Sequence, residues 1–323
     1  MNSRNILIIG GSGFIGAAIA RKLAARGLRL VVPTRRRERA KHLITLPTMD
    51  VVDADVHDPG TLERLVRGMD AVVSLVGILH GDRGVPYGRK FELAHVDLPR
   101  KIAKACVAAG VPRLLHMSAL CAASDAPSMY LRSKAAGEAA IREVTESAPH
   151  RVSVTMFRPS VVFGRDDRFI NLFAQMQRLL PFIPLGGASG KLQCVHVEDV
   201  AKAFANALDN PATFGRTYDL AGPKAYMLRE IVEFAGRISG HPRPVIPLAD
   251  GVARLQAWAM EFAPIKLLSR DNLDSLKCDS VSAHAFAPEL GVAPEAMEAV
   301  VPSYLAGHSP RDRYMQLRDH AGR

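Results

Sequence analysis

The sequence predicts an α/β fold built on a doubly wound parallel sheet, with a smaller, mostly helical C-terminal domain. Short apolar runs alternate with helical patterns along most of the chain, which is typical of strands joined by crossover helices. A glycine-rich turn joins the first apolar run to an alanine-rich helical pattern. The predicted sheet domain comprises 1–164 and 191–221, and the predicted C-terminal domain comprises 165–190 and 222–323.

The predicted strands are bounded by turn residues or by helical patterns. They are Ile6–Ile9, Leu28–Pro33, Met49–Ala54, Asp70–Val76, Pro112–Ser118 and Val152–Phe157, with a further strand end at Thr217–Pro223. Helical patterns follow at Ala17–Ala25, Gly60–Arg67, Phe91–Ala109, from Tyr130 through Ile141, and at Ile170–Leu180. Asp58 or Thr61 is expected to cap the second of these helices.

The first strand ends in three glycines with G-x-x-G-x-x-G spacing. Gly10 permits a tight turn, Gly13 lets the backbone approach a pyrophosphate, and Gly16 lets the helix pack against the strand. A diphosphate can then bind at the positive N-terminus of the helix. The turn therefore predicts a Rossmann dinucleotide site. Its predicted contacts are Gly10, Ser12, Gly13, Phe14, Ile15 and Gly16.

The residues at the end of the second strand indicate whether the site binds NAD(H) or NADP(H). A site for NAD usually places Asp or Glu about 20 residues after the glycines, whereas guanidinium groups there accommodate a 2′-phosphate. Arg35 and Arg36 stand at this position, so the sequence predicts NADP(H) in preference to NAD(H). The alternative is a solvated charge run at the start of a helix.

Later strand ends supply the other predicted contacts. Asp55 and Val56 follow the third strand, where the adenine edge would lie, although a plain loop turn fits Asp55 equally well. Val76 and Gly77 end the fourth strand, near the expected path of the nicotinamide ribose. His95 is interpreted as structural.

A helical pattern opens with Tyr-Leu-Arg-Ser-Lys at 130–134. Residues four apart share a helix face, so Lys134 lies on the side that carries Tyr130. A neighbouring cation favours tyrosinate and would lower the pKa of Tyr130 toward a useful acid/base range.

Composition excludes several classes of protein. Hydrophobic residues are 48% and charged residues 23% of the chain, so disorder of the whole chain is excluded. The four cysteines form no C-x-x-C pair, which argues against zinc and against a disulfide framework, and no metal site is predicted. The net charge of +10 favours anionic partners, but the basic residues lack interleaved aromatics, so nucleic acid is not expected.

No apolar run reaches the ~20 residues of a spanning helix. We expect a cytoplasmic protein, either free or peripheral at the inner face of the membrane.

These motifs together resemble the extended and atypical short-chain dehydrogenase/reductases of the NAD-dependent epimerase/dehydratase superfamily. Within it, the chain is most similar to the group formed by the NADPH-binding accessory subunit of mitochondrial complex I and its bacterial relatives. The stretches that carry the resemblance are the glycine turn at 10–16, Tyr-Leu-Arg-Ser-Lys at 130–134, Arg-Pro-Ser at 158–160, Phe-Gly-Arg-Asp-Asp-Arg-Phe at 163–169 and Ala-Gly-Pro at 221–223.

The resemblance implies roles for individual residues. Tyr130 would be the acid/base, Lys134 the ribose clamp, and Pro159 and Ser160 part of the segment that flanks the nicotinamide. Ala119 stands where the family's serine or threonine is expected, and Ser118, one residue early, is the third catalytic candidate. A shift of one residue along a strand reverses the side-chain face, so Ser118 is expected to point away from the site unless the backbone bulges.

Three functions are compatible with the resemblance and with Ala119 in place of the family's serine or threonine. The protein could hold NADP(H) as a structural ligand beside respiratory complex I or a quinone-pathway protein. It could be an active oxidoreductase on a quinone-related or apolar carbonyl, as the Tyr130–Lys134 pair favours. It could also be a sugar-nucleotide epimerase or dehydratase.

One further pattern bears on partners. Large apolar residues recur at spacings of three and four along a predicted helix that holds the single tryptophan: Leu248, Val252, Leu255, Trp258 or Ala259, Phe262 and Ile265. This stripe is interpreted as core, with a docking surface for a protein partner or a membrane surface as the alternative. The basic end at 311–323 is expected to be frayed.

Overall fold

The computed structural model describes residues 3–148, 152–262, 268–284 and 286–306. The chain divides into two units. The first comprises Met1–Pro159, Val197–Leu220 and Ser282–Ala293, and the second comprises Ser160–His196, Ala221–Val281 and Pro294–Arg323. The first unit thus includes 282–293, which the sequence analysis assigned to the C-terminal domain.

The strands, in chain order, are β1 (Asn5–Ile9), β2 (Arg29–Thr34), β3 (Met49–Asp53), β4 (Ala71–Ser74), β5 (Arg113–Met117), β6 (Ser153–Pro159), β7 (Val162–Phe163), β8 (Ile183–Leu185), β9 (Lys191–Leu192), β10 (Val195–His196), β11 (Thr217–Leu220), β12 (Tyr226–Met227) and β13 (Val245–Pro247).

The helices are α1 (Phe14–Ala24), α2 (Lys41–Ile44), α3 (Pro59–Val66), α4 (Arg89–Phe91), α5 (Leu98–Ala108), α6 (Met129–Glu146), α7 (Ile170–Leu179), α8 (Val197–Ala207), α9 (Leu228–Ile238), α10 (Asp250–Met260), α11 (Arg270–Ser275), α12 (Met297–Val300) and α13 (Pro302–Leu305). A π-helical segment, Glu92–Asp97, joins α4 to α5. Short 3₁₀ turns lie at Arg37–Ala40, Pro211–Thr213 and Pro288–Leu290.

The first unit contains a seven-stranded parallel sheet in the order β11-β6-β5-β4-β1-β2-β3. The chain builds outward from β1 to β3, then returns to place β4 on the other side of β1. Ile6 to Ile9 of β1 are fully buried, because helices cover both faces of a parallel sheet. The predicted doubly wound sheet is confirmed. Its strand order reverses between β1 and β4, and the carboxyl ends there form the crevice where such folds bind ligands.

The sequence also predicted a local detail of this unit correctly. Asp58 caps α3, because its carboxylate accepts a hydrogen bond from the Thr61 amide at 2.8 Å. Predicted element ends differ from those of the structure by one or two residues in most cases, as is usual where helix and strand ends fray.

The second unit combines short two-stranded ladders with helices: β7 pairs with β10, β9 with β12 and β8 with β13. Its core includes Phe163, Ile231 and Val232, each fully buried. The mostly helical C-terminal region predicted from the sequence is confirmed in these described residues.

The packing of α10 differs from the interpretation of its apolar stripe as core. Ala253 and Ala257 are its buried residues and pack with Leu273 of α11. The large apolar residues lie on the other side of the helix and are exposed: Val252, Leu255 and Trp258, followed by Phe262 just beyond its end. The interpretation as core is wrong for these four residues, because two small alanines allow α10 to pack closely through the opposite face. It holds for Leu248, which is partly buried against the alanine cluster. Ile265 lies outside the described residues.

Buried Arg113 connects β5 with β6 and α8 in the first unit through hydrogen bonds. The guanidinium of Arg113, in β5, donates to the carbonyl oxygens of Ala207 and Leu208 at the C-terminal end of α8, at 2.8 and 3.0 Å. It also donates to the Ser153 carbonyl and the Thr155 hydroxyl of β6. Burial lowers its pKa to about 10, so the group stays charged at neutral pH. These bonds satisfy carbonyls that a helix end leaves without partners.

We expect Arg113→Met to lower the free energy of unfolding by about 3 kcal/mol or more, because it leaves several buried carbonyls without donors. Urea unfolding followed by circular dichroism measures the loss. Arg29→Met is the matched control: it removes an exposed pair with Asp50 and should cost less than about 1 kcal/mol. Equal losses in the two variants would contradict the role given to Arg113.

Candidate functional site

The glycine turn after β1 has the geometry that the sequence predicts. Gly10 has a positive φ of 90° and accepts a hydrogen bond from the Gly13 amide at 3.1 Å. A Cβ at Gly16 would overlap the Gly10 carbonyl oxygen, so only glycine lets α1 start this close to the turn. Gly13 is exposed, and a Cβ there would meet only that same oxygen, at 3.4 Å. The turn is closed toward the strand and open at Gly13.

Helix α1 begins at this opening without a capping side chain. Gly13 is its N-cap residue and makes no side-chain cap hydrogen bond, and the first turn carries no acidic residue. Amides at an uncapped helix N-terminus, together with the helix dipole, favour an anion. The described residues therefore fit a bound diphosphate.

The predicted 2′-phosphate contacts lie at the carboxyl end of β2. The Thr34 hydroxyl accepts a hydrogen bond from the Arg36 amide at 3.3 Å and fixes the turn after the strand. Arg35 and Arg36 are both exposed at this turn. At the end of neighbouring β3, Asp55 is also exposed, and its carboxylate accepts from the His57 amide at 3.0 Å. That bond fits the loop-turn interpretation of Asp55. Val56 packs against the apolar core of the first unit.

Gly77 marks the point where three elements meet beyond the end of β4. A Cβ built there would lie 3.8 Å from the Lys134 Nζ and 3.7 Å from the His95 Nε2. The preceding Val76 is half-buried, whereas Gly77 is exposed. Lys134 is itself buried and donates to the Met117 carbonyl at 2.7 Å. The predicted residues Gly77 and Lys134 are therefore brought together.

The ionisation of the tyrosine–lysine pair differs from the prediction. Burial raises the pKa of Tyr130 to about 12, whereas the sequence analysis expected Lys134 to lower it. Burial also lowers the pKa of Lys134 to about 8, against the raising influence of Glu138. Loss of water penalises the charged form of each group, which raises the pKa of a phenol and lowers that of an amine. At neutral pH the phenol of Tyr130 is therefore protonated.

Ser118 is enclosed in the protein interior. Its hydroxyl is buried and has no hydrogen-bond partner among the described residues, while its amide donates to the Phe157 carbonyl at 2.7 Å. The adjacent Ala119 is 6% exposed and has no hydroxyl to offer. A substrate carbonyl meets no accessible hydroxyl at this pair of positions.

The last two predicted contacts follow β6. Pro159 ends that strand, pairs in register with Leu220 of β11, and accepts a hydrogen bond from the Leu120 amide at 2.9 Å. Ser160 begins the second unit, where its hydroxyl bonds to the carbonyl and hydroxyl oxygens of Ser280 at 3.0 and 2.9 Å. The Ser160 hydroxyl thus already has structural partners.

Sequence reasoning missed the connecting role of His95 and Ser133. The His95 Nε2 lies 2.9 Å from the Ile78 amide, and its Nδ1 lies 2.8 Å from the Ser133 hydroxyl. That hydroxyl donates to the Tyr130 carbonyl at 2.7 Å. Ser133 lies inside the quoted 130–134 motif, but the sequence carries no signal that pairs it with a residue 38 positions away.

The comparison with family models decides the classification. Residues 6–221 match the model of the NAD dependent epimerase/dehydratase family, which is more than half of the chain. The chain belongs to this family. The match covers the glycine turn and the Tyr130–Lys134 helix, so the predicted resemblance is confirmed.

Of two curated relatives of this epimerase/dehydratase-family chain, one is by name a subunit of NADH dehydrogenase and the other a reductase. It is 33% identical over 233 residues to NADH dehydrogenase (ubiquinone) 1 alpha subcomplex subunit 9, mitochondrial, of Rattus norvegicus, covering 70% of this chain and 59% of the relative. It is 28% identical over 260 residues to a ceramide reductase of Caulobacter vibrioides, covering 79% and 78% of the two chains. The chain thus spans less than two thirds of the mitochondrial relative.

A solved structure shares the fold of this chain. A dTDP-glucose 4,6-dehydratase from Streptomyces venezuelae, DesIV, with NAD and TYD bound, is 24% identical and superposes with a TM-score of 0.67, covering 77% of this chain and 85% of that chain. None of the helices in the described residues is both long and apolar enough to cross a membrane.

Proposed function

We propose that this family member binds NADP(H) as a lasting ligand, with little or no turnover, and acts beside respiratory complex I or the quinone machinery. The observation that carries the proposal is the enclosed Ser118 hydroxyl next to Ala119. The family resemblance implies a second hydroxyl beside Tyr130 that polarises the substrate of an active reductase. Here Ala119 lacks that hydroxyl, and the hydroxyl of Ser118 is enclosed. The mitochondrial relative is, by its name, a subunit of NADH dehydrogenase, which supports the respiratory link.

The choice of NADP(H) rests on the turn after β2. Arg35 and Arg36 are exposed where the 2′ position of the adenosine ribose would lie in such a fold. Guanidinium groups bind phosphate through paired hydrogen bonds, whereas a carboxylate there would repel it. When bound, the cofactor supplies a nicotinamide ring that can accept or donate a hydride.

We expect Arg35→Ala with Arg36→Ala to weaken NADPH binding about 100-fold and NADH binding by no more than about threefold, since only NADPH carries the 2′-phosphate. Isothermal titration with each nucleotide measures the two changes.

The matched control is Arg64→Ala with Arg67→Ala, which removes the same two positive charges from exposed positions of α3 and its C-cap. This control should change both affinities by less than about threefold through long-range charge alone. Equal losses of NADPH and NADH in the Arg35/Arg36 variant would refute the 2′-phosphate contact.

An active carbonyl reductase is the second candidate, and the Tyr130–Lys134 pair favours it. The phenol of Tyr130 carries the proton that a carbonyl oxygen needs when its carbon accepts a hydride. Burial raises the pKa of Tyr130 to about 12, which makes this phenol a weaker acid than an ordinary tyrosine. The ceramide reductase relative is consistent with an apolar substrate. Such an enzyme consumes NADPH when its carbonyl is added, whereas a structural ligand stays reduced.

The exposed face of α10 supports a protein partner. Val252, Leu255 and Trp258 leave 46–63% of their area exposed, and Phe262 leaves 75%. The rings of Trp258 and Phe262 lie 5.3 Å apart. Exposed aromatic and aliphatic groups clustered on one helix face mark interaction sites. We propose that a subunit of respiratory complex I covers this face, because two relatives are, by name, subunits of NADH dehydrogenase and NADH-ubiquinone oxidoreductase.

We expect Leu255→Glu with Phe262→Glu to reduce co-purification with respiratory complex I at least about tenfold, because both changes place charge in the covered apolar face. Affinity capture of the tagged protein from detergent-solubilised native membranes measures it. Val85→Glu, at a position 99% exposed in the first unit, is the control and should co-purify normally. Unchanged capture of the α10 variant would contradict this surface, and wild-type binding to anionic vesicles without complex I would point to a membrane surface instead.

A further inference from the structure

The imidazole of His95 joins two segments that border the dinucleotide site. On one side, the Ile78 amide lies 2.9 Å from its Nε2, directly after Gly77. On the other side, the Ser133 hydroxyl lies 2.8 Å from its Nδ1, and Ser133 belongs to the same helix as Tyr130 and Lys134. A single ring therefore connects the loop after β4 with α6.

The hydrogen bonds fix the protonation of this ring. A backbone amide can only donate, so the Nε2 must be the acceptor and carries no proton. The proton of the neutral ring is then on Nδ1, which donates to the Ser133 oxygen, and that hydroxyl donates onward to the Tyr130 carbonyl at 2.7 Å. Burial, with smaller contributions from Lys134 and His116, lowers the pKa of His95 to about 2, consistent with a neutral ring.

The surroundings of His95 leave its ring little freedom. It lies in the π-helical segment Glu92–Asp97, and such segments recur at functional sites. The rings of Phe91 and Tyr130 are each 5.5 Å from its centroid. A Cβ at Gly137 of α6 would overlap the His95 carbonyl oxygen, so the two helical segments are in close backbone contact. His95 as a whole residue is 1% exposed.

Gly77 shows which part of the site this bridge controls. Its missing side chain leaves a space bordered by the His95 Nε2 and the Lys134 Nζ, both within 4 Å of the Cβ position. In a doubly wound fold this position, at the end of β4 beside β1, lies on the nicotinamide side of the crevice, away from Arg35 and Arg36 at the end of β2.

We propose that His95 is a positioning residue that fixes the 76–78 loop against α6 and thereby shapes the pocket for the nicotinamide end of the cofactor. The proposal rests on dinucleotide binding, as proposed above. Through Ser133, the same ring sets the backbone at Tyr130, so the bridge couples the position of the cofactor loop to that of the tyrosine.

The test compares two ligands that share the adenosine end. NADPH carries the nicotinamide, and 2′,5′-ADP does not. We expect His95→Ala to raise the Kd of NADPH about tenfold and to leave that of 2′,5′-ADP within about twofold, because only the nicotinamide end contacts the displaced loop. His95→Gln restores an acceptor for the Ile78 amide and should recover NADPH binding to within about threefold of wild type.

The control for general damage is Arg113→Met. Arg113 is also buried in β5, but its hydrogen bonds go to the end of α8 and to β6. We expect this variant to lower the melting temperature while leaving the ratio of the two Kd values unchanged. Parallel losses of both ligands in His95→Ala, no loss, no recovery in His95→Gln, or an equal change of the ratio in Arg113→Met would each overturn the positioning role.

Failure of the underlying function gives a different result. Wild-type protein that prefers NADH refutes only the 2′-phosphate contact, and the His95 comparison then uses NADH against ADP with the same expected ratio. Wild-type protein that binds neither dinucleotide overturns both proposals.

Discussion

The contact between Gly16 and the Gly10 carbonyl is the constraint on which the rest of the site depends. Because any Cβ at Gly16 would overlap that oxygen, α1 can begin directly above the turn only with glycine there. This close start points the uncapped N-terminus of α1 at the crevice between β1 and β4. The ends of β2 and β4 then fall on opposite sides of the crevice, with Arg35 and Arg36 at one and Gly77 at the other.

Several buried side chains around Gly77 are polar, but few of them are charged. His95 and His116 are buried, and burial holds the pKa of each well below its usual value. Lys134 lies close enough to influence both rings, and its own pKa is lowered to about 8. Neutral imidazoles can surround one buried ammonium without repulsion, whereas charged ones could not. The same desolvation raises the pKa of Tyr130 to about 12, so its phenol stays protonated at neutral pH.

Much of the fold could be predicted from local patterns. The strand, glycine turn and helix at 5–24 are encoded within one short stretch, and the Asp58 cap needs only a neighbour three residues away. Features that depend on distant parts of the chain could not be predicted. The pKa of Tyr130 is set by burial, which an i, i+4 spacing does not report. On α10 the periodicity located an apolar stripe, but two alanines on the other face decided which side packs.

In the candidate site, too, local features could be predicted from the sequence and long-range contacts could not. The glycines and the 130–134 motif were visible because each group is contiguous in sequence, whereas the His95–Ser133 bridge spans 38 residues and requires the π-helical segment to align it. Ser118 was visible as a serine near a strand end, but only the packing shows its hydroxyl to be enclosed.

The central claim is the proposal that the protein keeps NADP(H) bound with little or no turnover. The most direct measurement is to denature the purified protein, identify the released nucleotide by mass spectrometry, and follow the absorbance of protein-bound NADPH after adding quinones or long-chain carbonyls. The account predicts NADP(H) in near-equal amount to protein and no oxidation on addition. Release of NAD(H), release of no nucleotide, or oxidation that Tyr130→Phe abolishes would contradict it.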